Sequence, residues 1–202
     1  KLSMKKLILC LTVLTILASS FGLAEAKVNI AANEATTSNL KKYITNTYHL
    51  LDFKGKATLA LPVYEKAVTG YLNLRNAGKL NTDKQILTIA DFSQSSCQTR
   101  LWIIDMQNHK VLLNDYVAHG QGSGDEFAKV FSNTENSHQS SLGFYVTGDT
   151  YNGDHGLSLR LEGMDNGYNS AAMERAVVVH GADYVSKDFI KSQKRLGRSW
   201  GC

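Results

Sequence analysis

The stretch ILTIADFSQSSCQTRLWIIDMQNHKVLLNDYVAH, residues 86–119, gives the clearest indication of the fold. It contains three short runs rich in branched and aromatic residues: ILTIADF (86–92), RLWIIDM (100–106) and KVLLNDYVAH (110–119). Runs of this kind, separated by Asn, Asp, Ser and Gln, are typical of β-strands. The residues DMQNHK (105–110) have the composition of a tight turn, so we predict that the second and third strands form a β-hairpin.

Three further runs of the same character follow: GFYVTGD (143–149), GLSLRLEG (156–163) and RAVVVHG (175–181). The polar stretch from Gly120 to Ser141 has too few apolar residues to bury itself and is too long for a simple connection. Long loops of this kind often carry functional residues. We therefore predict a mainly β, antiparallel fold with one long functional loop.

The part of the chain before these strands has helical patterning. Apolar residues recur at helical spacing over residues 40–51, with Ser38 or Asn39 as the expected N-cap. A second helix is expected to begin near Pro62, a favoured first-turn residue, and to end at Gly78. The sequence therefore predicts a small N-terminal helical layer.

The first 26 residues have the form of a secretory signal peptide. Lys5 and Lys6 precede an apolar run over residues 7–23, and Ala-Glu-Ala at 24–26 has the small-x-small form of a cleavage site. An uncleaved membrane anchor fits less well, because the apolar run is short and contains Thr and Ser. We expect an exported protein, in the periplasm or cell envelope, with no stable membrane anchor after cleavage and a polar linker over residues 27–39.

The charge of the chain excludes one class of partner. The full sequence has 22 basic and 18 acidic residues; removing residues 1–26 takes away three lysines and one glutamate and leaves 19 and 17, a net charge of +2. So weak a charge gives no reason to expect nucleic acid.

No His, Asp or Cys spacing indicates a metal, and the glycine-rich VAHGQGSG (117–124) lacks the lysine of a phosphate-binding loop. No cofactor is expected.

Two cysteines, Cys97 and Cys202, remain after cleavage. In an oxidising compartment one reading is that they form a disulfide. The other is thiol chemistry. A nucleophilic cysteine needs a base, a fixed turn and nearby N–H groups. His180 closes the apolar strand, Ser199 is placed to brace the terminal turn, and Gly201 leaves the backbone open to a substrate. Lone histidines at strand ends are more often structural, so spacing alone leaves both readings open.

Longer motifs distinguish the two readings. They are VVVHGADYVSKDF (177–189), KRLGRSWGC (194–202), LTIADFSQSS (87–96), VAHGQGSG (117–124) and FSNTENSHQSSLGFYVTG (131–148). Together they resemble the L,D-transpeptidase catalytic domain (YkuD-type), in the branch that ends its motif with Ser-Trp-Gly-Cys. The resemblance covers residues 40–202 and implies a β-barrel or sandwich-like catalytic fold.

The resemblance implies a role for each residue of the motif. Cys202 is the nucleophile and His180 its base, oriented by a backbone carbonyl that the sequence does not identify. The N–H groups of Gly201 and Cys202 form the oxyanion site. The donor is a peptidoglycan stem tetrapeptide, which forms a thioester on Cys202 as D-alanine leaves. An amine of a second stem then gives a 3-3 cross-link, whereas water gives a carboxypeptidase. Family behaviour further implies acylation of Cys202 by carbapenems.

Five further residues are candidates for substrate binding: Arg160, Arg198, Trp200, Tyr145 and His138. The two guanidinium groups are suited to the carboxylates of the stem. The aromatic rings are suited to a cleft wall, although aromatic residues in strands more often belong to a core. A solvent-exposed role for Arg198 and His138, and a structural role for His119, are the competing readings.

The sequence departs from the wider family in three respects. Trp200 replaces a histidine, so that base is absent, and eighteen residues separate His180 from Ser199, slightly more than is usual. Proteins of this branch continue past the cysteine with a proline and at least one strand, so we expect C-terminal strands beyond Cys202. The alternatives to a transpeptidase are an L,D-carboxypeptidase and a non-catalytic wall-binding domain with a Cys97–Cys202 disulfide.

Overall fold

The computed structural model describes residues 36–81 and 83–201. The predictions for the signal peptide, for most of the linker and for the position of Cys202 lie outside these residues. The chain divides into two compact units, residues 1–46 and residues 47–202. The described part of the first unit, residues 36–46, is helical throughout. The second unit contains all of the strands among the described residues.

Three α-helices are present in the part of the chain that the structure describes: α1 (36–50), α2 (Leu61–Asn76) and α3 (Lys187–Gln193). Ser38 and Asn39 are already helical, so the prediction that one of them caps α1 is wrong. The predicted start of α2 is confirmed, because Pro62 occupies its first turn, where a missing N–H costs nothing. None of the helices within these ranges combines the length and apolar character that a membrane crossing requires.

Helix α2 buries one face, and a glycine allows its closest contact. Tyr64, Val68 and Tyr71 recur at helical spacing and are buried. Gly70 lies against the ring of Phe144, which would overlap any Cβ at that position. This close approach fixes the helix against the segment that leads into the second sheet.

The first sheet contains β1 (Ile86–Ala90), β2 (Leu101–Asp105) and β3 (Lys110–Asp115), antiparallel in that order. The predicted hairpin between β2 and β3 is confirmed: Asp105 Oδ1 accepts hydrogen bonds from the N–H groups of Gln107 and Asn108 and closes the turn. Trp102 and Ile104 alternate into the core, as expected for a half-buried strand.

The second sheet contains β4 (Tyr145–Gly153), β5 (Gly156–Gly163) and β6 (Val178–His180), also antiparallel in that order. The mainly β prediction is therefore confirmed. A two-residue turn, Asp154 and His155, joins β4 to β5, and Ser158 on β5 faces His180 on β6. The sequence pattern predicts this strand over residues 175–181. The strand β6 is shorter, because residues 175–177 and Gly181 lie outside it.

Helix α3 is the one described helix that the sequence analysis does not predict. Ser186 caps it by accepting a hydrogen bond from Phe189 N–H, and Lys194 ends it in the left-handed conformation. The helix has seven residues, too few for its apolar periodicity to stand out. It returns the chain from the end of β6 towards the C-terminal turn.

Candidate active site

His180 is the last residue of β6, and Gly181 follows outside the strand. The Nδ1 atom of His180 is 2.8 Å from the carbonyl oxygen of Gly181. Because a carbonyl oxygen only accepts, this contact assigns the proton to Nδ1. In the neutral ring Nε2 then carries the lone pair, which is the tautomer that a general base requires. The orienting carbonyl that the sequence leaves unidentified is therefore that of Gly181.

A second imidazole supports the first. His155, in the turn between β4 and β5, stacks on His180 with ring centroids 4.5 Å apart and an interplanar angle of 15°. The register of β5 and β6 accounts for this contact, since Ser158 pairs with His180 and the turn lies just before Ser158. His180 is therefore held through both Nδ1 and one face of its ring.

The turn before Cys202 is anchored to a different part of the chain. Ser199 N–H donates to the carbonyl of His119 at 3.0 Å, and Gln121 N–H donates to the carbonyl of Ser199 at 2.8 Å. These bonds form an isolated parallel bridge between Gly120 and Ser199. Ser199 is buried, and its Oγ accepts a hydrogen bond from Gly201 N–H at 3.2 Å. Ser199 therefore braces the turn.

That last hydrogen bond bears on the expected oxyanion site. Gly201 N–H points at Ser199 Oγ and not into open space. In this conformation it is already bonded, so the described residues do not present it as a free oxyanion donor. Before Gly201 N–H could donate to an oxyanion, its hydrogen bond to Ser199 Oγ would have to break.

A buried arginine and histidine support the segment to which Ser199 is bonded. Arg100 is fully buried and donates to the carbonyls of Val117 and Gln94 and to Nδ1 of His119, the last at 2.8 Å. Since Arg100 only donates, His119 Nδ1 accepts, and its Nε2 donates to Gly124 O at 3.3 Å. Burial lowers the pKa of His119, and the nearby Arg100 charge lowers it further. His119 is therefore a neutral, structural residue.

Burial also acts on the arginine itself, whose pKa is lowered to about 10, against the opposing influence of Asp91 and Cys97. Arg100 still carries its charge at neutral pH. Its donors satisfy three acceptors that would otherwise be buried without partners.

Gly201 has a conformation that glycine alone adopts readily, with φ of +113°. A Cβ at this position would lie 3.1 Å from the carbonyl oxygen of Gln139 and 3.4 Å from Nη2 of Arg175. The turn therefore rests directly on the long polar loop and on the guanidinium that holds that loop. The sequence predicts that Gly201 leaves the backbone open to a substrate. On the side where a Cβ would lie, the space is instead taken by Gln139 and Arg175.

Trp200 and His138, both candidate substrate residues, are brought together. Their rings stack with centroids 4.9 Å apart and an interplanar angle of 21°. Trp200 is 76% exposed. His138 is fixed from its other side, because Gln121 Nε2 is 2.8 Å from its Nδ1, and its backbone has φ of +52°. Together the two rings form an exposed aromatic platform one residue from Gly201.

The two candidate arginines have different surroundings. Arg160 is exposed on β5, two positions from the residue that faces His180, and its guanidinium lies 4.3 Å from the ring centroid of Tyr151. Arg198 is paired with Asp125 at 2.8 Å and donates to Gly124 O. The charge of Arg198 is therefore already compensated, which makes it less suited to a substrate carboxylate than Arg160.

Tyr145 is part of the framework of the loop. Its hydroxyl donates to the carbonyl of Ser141 at 3.0 Å, and burial raises its pKa.

Cys97 carries a free thiol, with Sγ 3.3 Å from the carbonyl of Lys194. Cys202 lies outside the described residues, so the Cys97–Cys202 disulfide stays a prediction. The described ranges contain no group of three side chains suited to a metal ion.

Three residues that shape this site are missed by the sequence analysis: Arg100, Arg175 and His155. Arg100 and Arg175 flank apolar strands, but arginines are mostly exposed in proteins, so the sequence carries no signal for their inward contacts. The position of His155 in a two-residue turn between strands carries no indication that its ring meets that of His180.

The residues that form these contacts lie within one family match. Residues 54–202 match the family model of the L,D-transpeptidase catalytic domain, which confirms the resemblance found in the sequence. No curated protein and no solved structure matched the chain. The match extends over well over half of the chain and includes both sheets, His180 and the Ser-Trp-Gly-Cys motif. The chain belongs to the L,D-transpeptidase catalytic domain family.

Proposed function

We propose that this protein is an exported cysteine L,D-transpeptidase that forms 3-3 cross-links between peptidoglycan stem peptides. The observation that supports this proposal best is the hydrogen bond made by the His180 ring in a chain that belongs to this family. Its Nδ1 donates to Gly181 O, so that in the neutral ring Nε2 is the proton acceptor, at the end of β6. Cys202, the cysteine of the family motif, is the nucleophile.

The first half of the reaction is acyl transfer to the cysteine. His180 Nε2 takes the proton of the Cys202 thiol, and the thiolate attacks the carbonyl carbon of the third, diamino residue of a stem tetrapeptide. The tetrahedral intermediate collapses as the bond to D-alanine breaks. His180 returns the proton to the departing amine, so D-alanine leaves neutral at that nitrogen and a thioester remains.

The second half transfers the acyl group to an amine. The side-chain amine of a diamino residue on a second stem attacks the thioester and loses a proton to His180. Collapse of this intermediate forms the peptide bond of the 3-3 cross-link and expels the Cys202 thiolate, which recovers its proton. The chemistry needs no redox step, and all groups are restored.

Two features support a contact with the wall polymer. The platform of Trp200 and His138 is exposed next to the motif, and aromatic faces of this kind bind large, partly apolar surfaces at low entropic cost. Arg160 lies on the sheet that carries His180 and is not ion-paired in the part of the chain that the structure describes, so it is suited to a stem carboxylate.

The direct test uses the mature natural protein, from which the signal segment has been removed. A disaccharide tetrapeptide serves as both donor and acceptor. Mass spectrometry follows loss of D-alanine and formation of a dimer, with Cys202→Ala and His180→Gln as variants and Arg75→Gln, an exposed residue at the end of α2, as control. We expect a dimer with the parent and the control, and none with the Cys202 variant.

Each other outcome has a definite meaning. Loss of D-alanine without a dimer makes the protein an L,D-carboxypeptidase, and no Cys202-dependent product from folded protein excludes both activities. A mass increase at Cys202 with a carbapenem, absent in Cys202→Ala, tests the nucleophile independently. Cell fractionation tests export: the processed protein is expected in the envelope or periplasmic fraction, and an unprocessed cytoplasmic protein would contradict the proposal.

A further inference from the structure

We infer that the platform formed by Trp200 and His138 binds the sugar rings of the peptidoglycan glycan strand. This inference rests on the proposed function, which names the wall polymer as the substrate, and it specifies which part of that polymer the two rings contact. A saccharide ring has an apolar face of C–H groups and a rim of hydroxyl and acetamido groups. A site for it therefore needs a flat apolar surface with neutral hydrogen-bonding groups around it.

Trp200 supplies the flat apolar surface. Its side chain is 76% exposed, the highest value among the large apolar residues that the structure describes. The residues on both sides of it, Ser199 and Gly201, are buried. The ring is thus held on a buried turn and left open to water, where a ligand can cover it.

His138 occupies one face of the indole ring and leaves the other. The two rings stack with their centroids 4.9 Å apart and an angle of 21° between their planes. A planar ring has two faces, and the high exposure of Trp200 places the opposite face in solvent. One open aromatic face backed by a second ring is suited to stacking on a single sugar ring.

The support under this face is already ordered. Gln121 Nε2 lies 2.8 Å from His138 Nδ1, and Gly122 N–H donates to the carbonyl of His138 at 2.9 Å. Arg175 Nη2 donates to the carbonyl of the next residue, Gln139, at 2.7 Å. Since His138 is held through its ring and its backbone, little conformational entropy is lost when a ligand binds.

Neutral polar groups surround the platform. The segment 132–139, SNTENSHQ, has a hydroxyl or an amide side chain at six of its eight positions. Because the Gln121 amide nitrogen only donates, His138 Nδ1 accepts, and the neutral ring carries its proton on Nε2. This N–H and the neighbouring amides and hydroxyls are suited to the hydroxyl and acetamido groups of a sugar.

The same segment argues against other ligands. It contains one acidic residue, Glu135, and no lysine or arginine, so it offers no cationic side chain to a phosphate or a nucleic acid. It also contains no large aliphatic side chain that would favour a lipid or an apolar peptide. A neutral saccharide is therefore the ligand that the platform and this segment fit together.

The chain contains its own reporter for such binding. Trp102 and Trp200 are its two tryptophans. Trp102 is 1% exposed, and its Nε1 donates to the carbonyl of Ala57. A ligand that covers the platform is therefore expected to change the fluorescence of Trp200 and leave that of Trp102 unchanged.

The test measures binding and needs no turnover. The mature natural protein is titrated with the peptide-free disaccharide of N-acetylglucosamine and N-acetylmuramic acid, and separately with the free stem tetrapeptide, while tryptophan emission is followed. We expect a saturable change with the disaccharide and none with the peptide. His138→Ala retains the reporter but removes the backing ring, so Kd for the disaccharide is expected to rise about five- to tenfold.

Two further variants complete the test. Tyr43→Ala removes an exposed aromatic residue of α1, outside the family match, and is expected to keep the parent Kd. Trp200→Ala removes the exposed ring itself, and calorimetry is expected to show no binding of the disaccharide. This variant also serves if His138→Ala does not fold, which circular dichroism determines.

The outcomes separate this inference from the proposed function. An emission change with the free tetrapeptide alone assigns the platform to the stem and overturns the inference. Parent-like affinity for the disaccharide in folded Trp200→Ala also overturns it. D-alanine release by a protein that does not bind the disaccharide overturns the inference and leaves the transpeptidase intact. Disaccharide binding that requires Trp200, in a protein that releases no D-alanine, supports the inference and excludes the transpeptidase.

Discussion

The imidazole rings of His155 and His180 lie face to face, 4.5 Å apart at their centroids. The contact connects the tip of the β4–β5 hairpin to the proposed base at the end of β6. One nitrogen of His180 contacts Gly181 O and one ring face contacts His155, so both contacts favour the same orientation of the ring.

This contact predicts a defect in turnover when the stacking ring is removed. We expect His155→Ala to lower kcat about tenfold with little change in KM, because the base is then less well oriented. His155→Phe keeps a flat ring and is expected to restore most of the rate. Steady-state kinetics of D-alanine release check this. Equal rates for the parent and the alanine variant would show that stacking contributes nothing.

A side chain at Gly201 is predicted to disturb the motif turn. Gly201→Ala places a Cβ 3.1 Å from Gln139 O at a φ of +113°, which costs about 1–3 kcal/mol and displaces the residue before the proposed nucleophile. We expect D-alanine release to fall more than about tenfold. Gly148→Ala is the matched control, because its Cβ meets Arg160 at an ordinary 3.5 Å. An active Gly201 variant would contradict the tight packing.

Loss of Arg100 is predicted to destabilise the fold. Arg100→Met leaves the carbonyls of Val117 and Gln94 and Nδ1 of His119 without a donor, and we expect a loss of about 3 kcal/mol in the free energy of unfolding. Urea unfolding measures this. Arg75→Met, in an exposed position, is expected to change stability by less than about 0.5 kcal/mol.

The lowered pKa of His119 predicts a dependence of stability on pH. In the unfolded chain this histidine takes up a proton near the ordinary histidine pKa of 6.5, whereas in the folded protein it does so only at lower pH. Its contribution is therefore fully present above about pH 6.5 and is lost as the pH falls from there towards the folded pKa. Urea unfolding of the parent and of His119→Gln at about pH 7.5 and about pH 5.5 checks this. We expect the free energy of unfolding to fall less between the two pH values in the variant than in the parent.

The aromatic platform is predicted to act in binding. Trp200→Ala removes its exposed ring, and we expect KM for the disaccharide tetrapeptide to rise about tenfold with kcat within about threefold. Trp200→Phe retains an aromatic face and should lie between the two. A fall in kcat alone would instead assign Trp200 to the positioning of the motif.

Much of this fold follows from local patterns, and the exceptions have physical causes. Alternation and turn residues predict the six strands and the β2–β3 hairpin, because those signals depend on neighbouring residues. The predicted helix cap at Ser38 or Asn39 is wrong because both residues are already helical, ahead of the apolar pattern that begins at Leu40. The roles of Arg175 and His155 depend on contacts between segments distant in the chain, which periodicity does not contain.

The bridge between Gly120 and Ser199 has a consequence for the timing of folding. The two residues are separated by the long loop, the whole second sheet and α3, so closing this contact requires a large loss of chain entropy that earlier contacts must offset. The bridge should therefore form late. Until it does, the residues before Cys202 lack the two backbone hydrogen bonds that hold Ser199, so the motif turn reaches its final position only after the second sheet has formed.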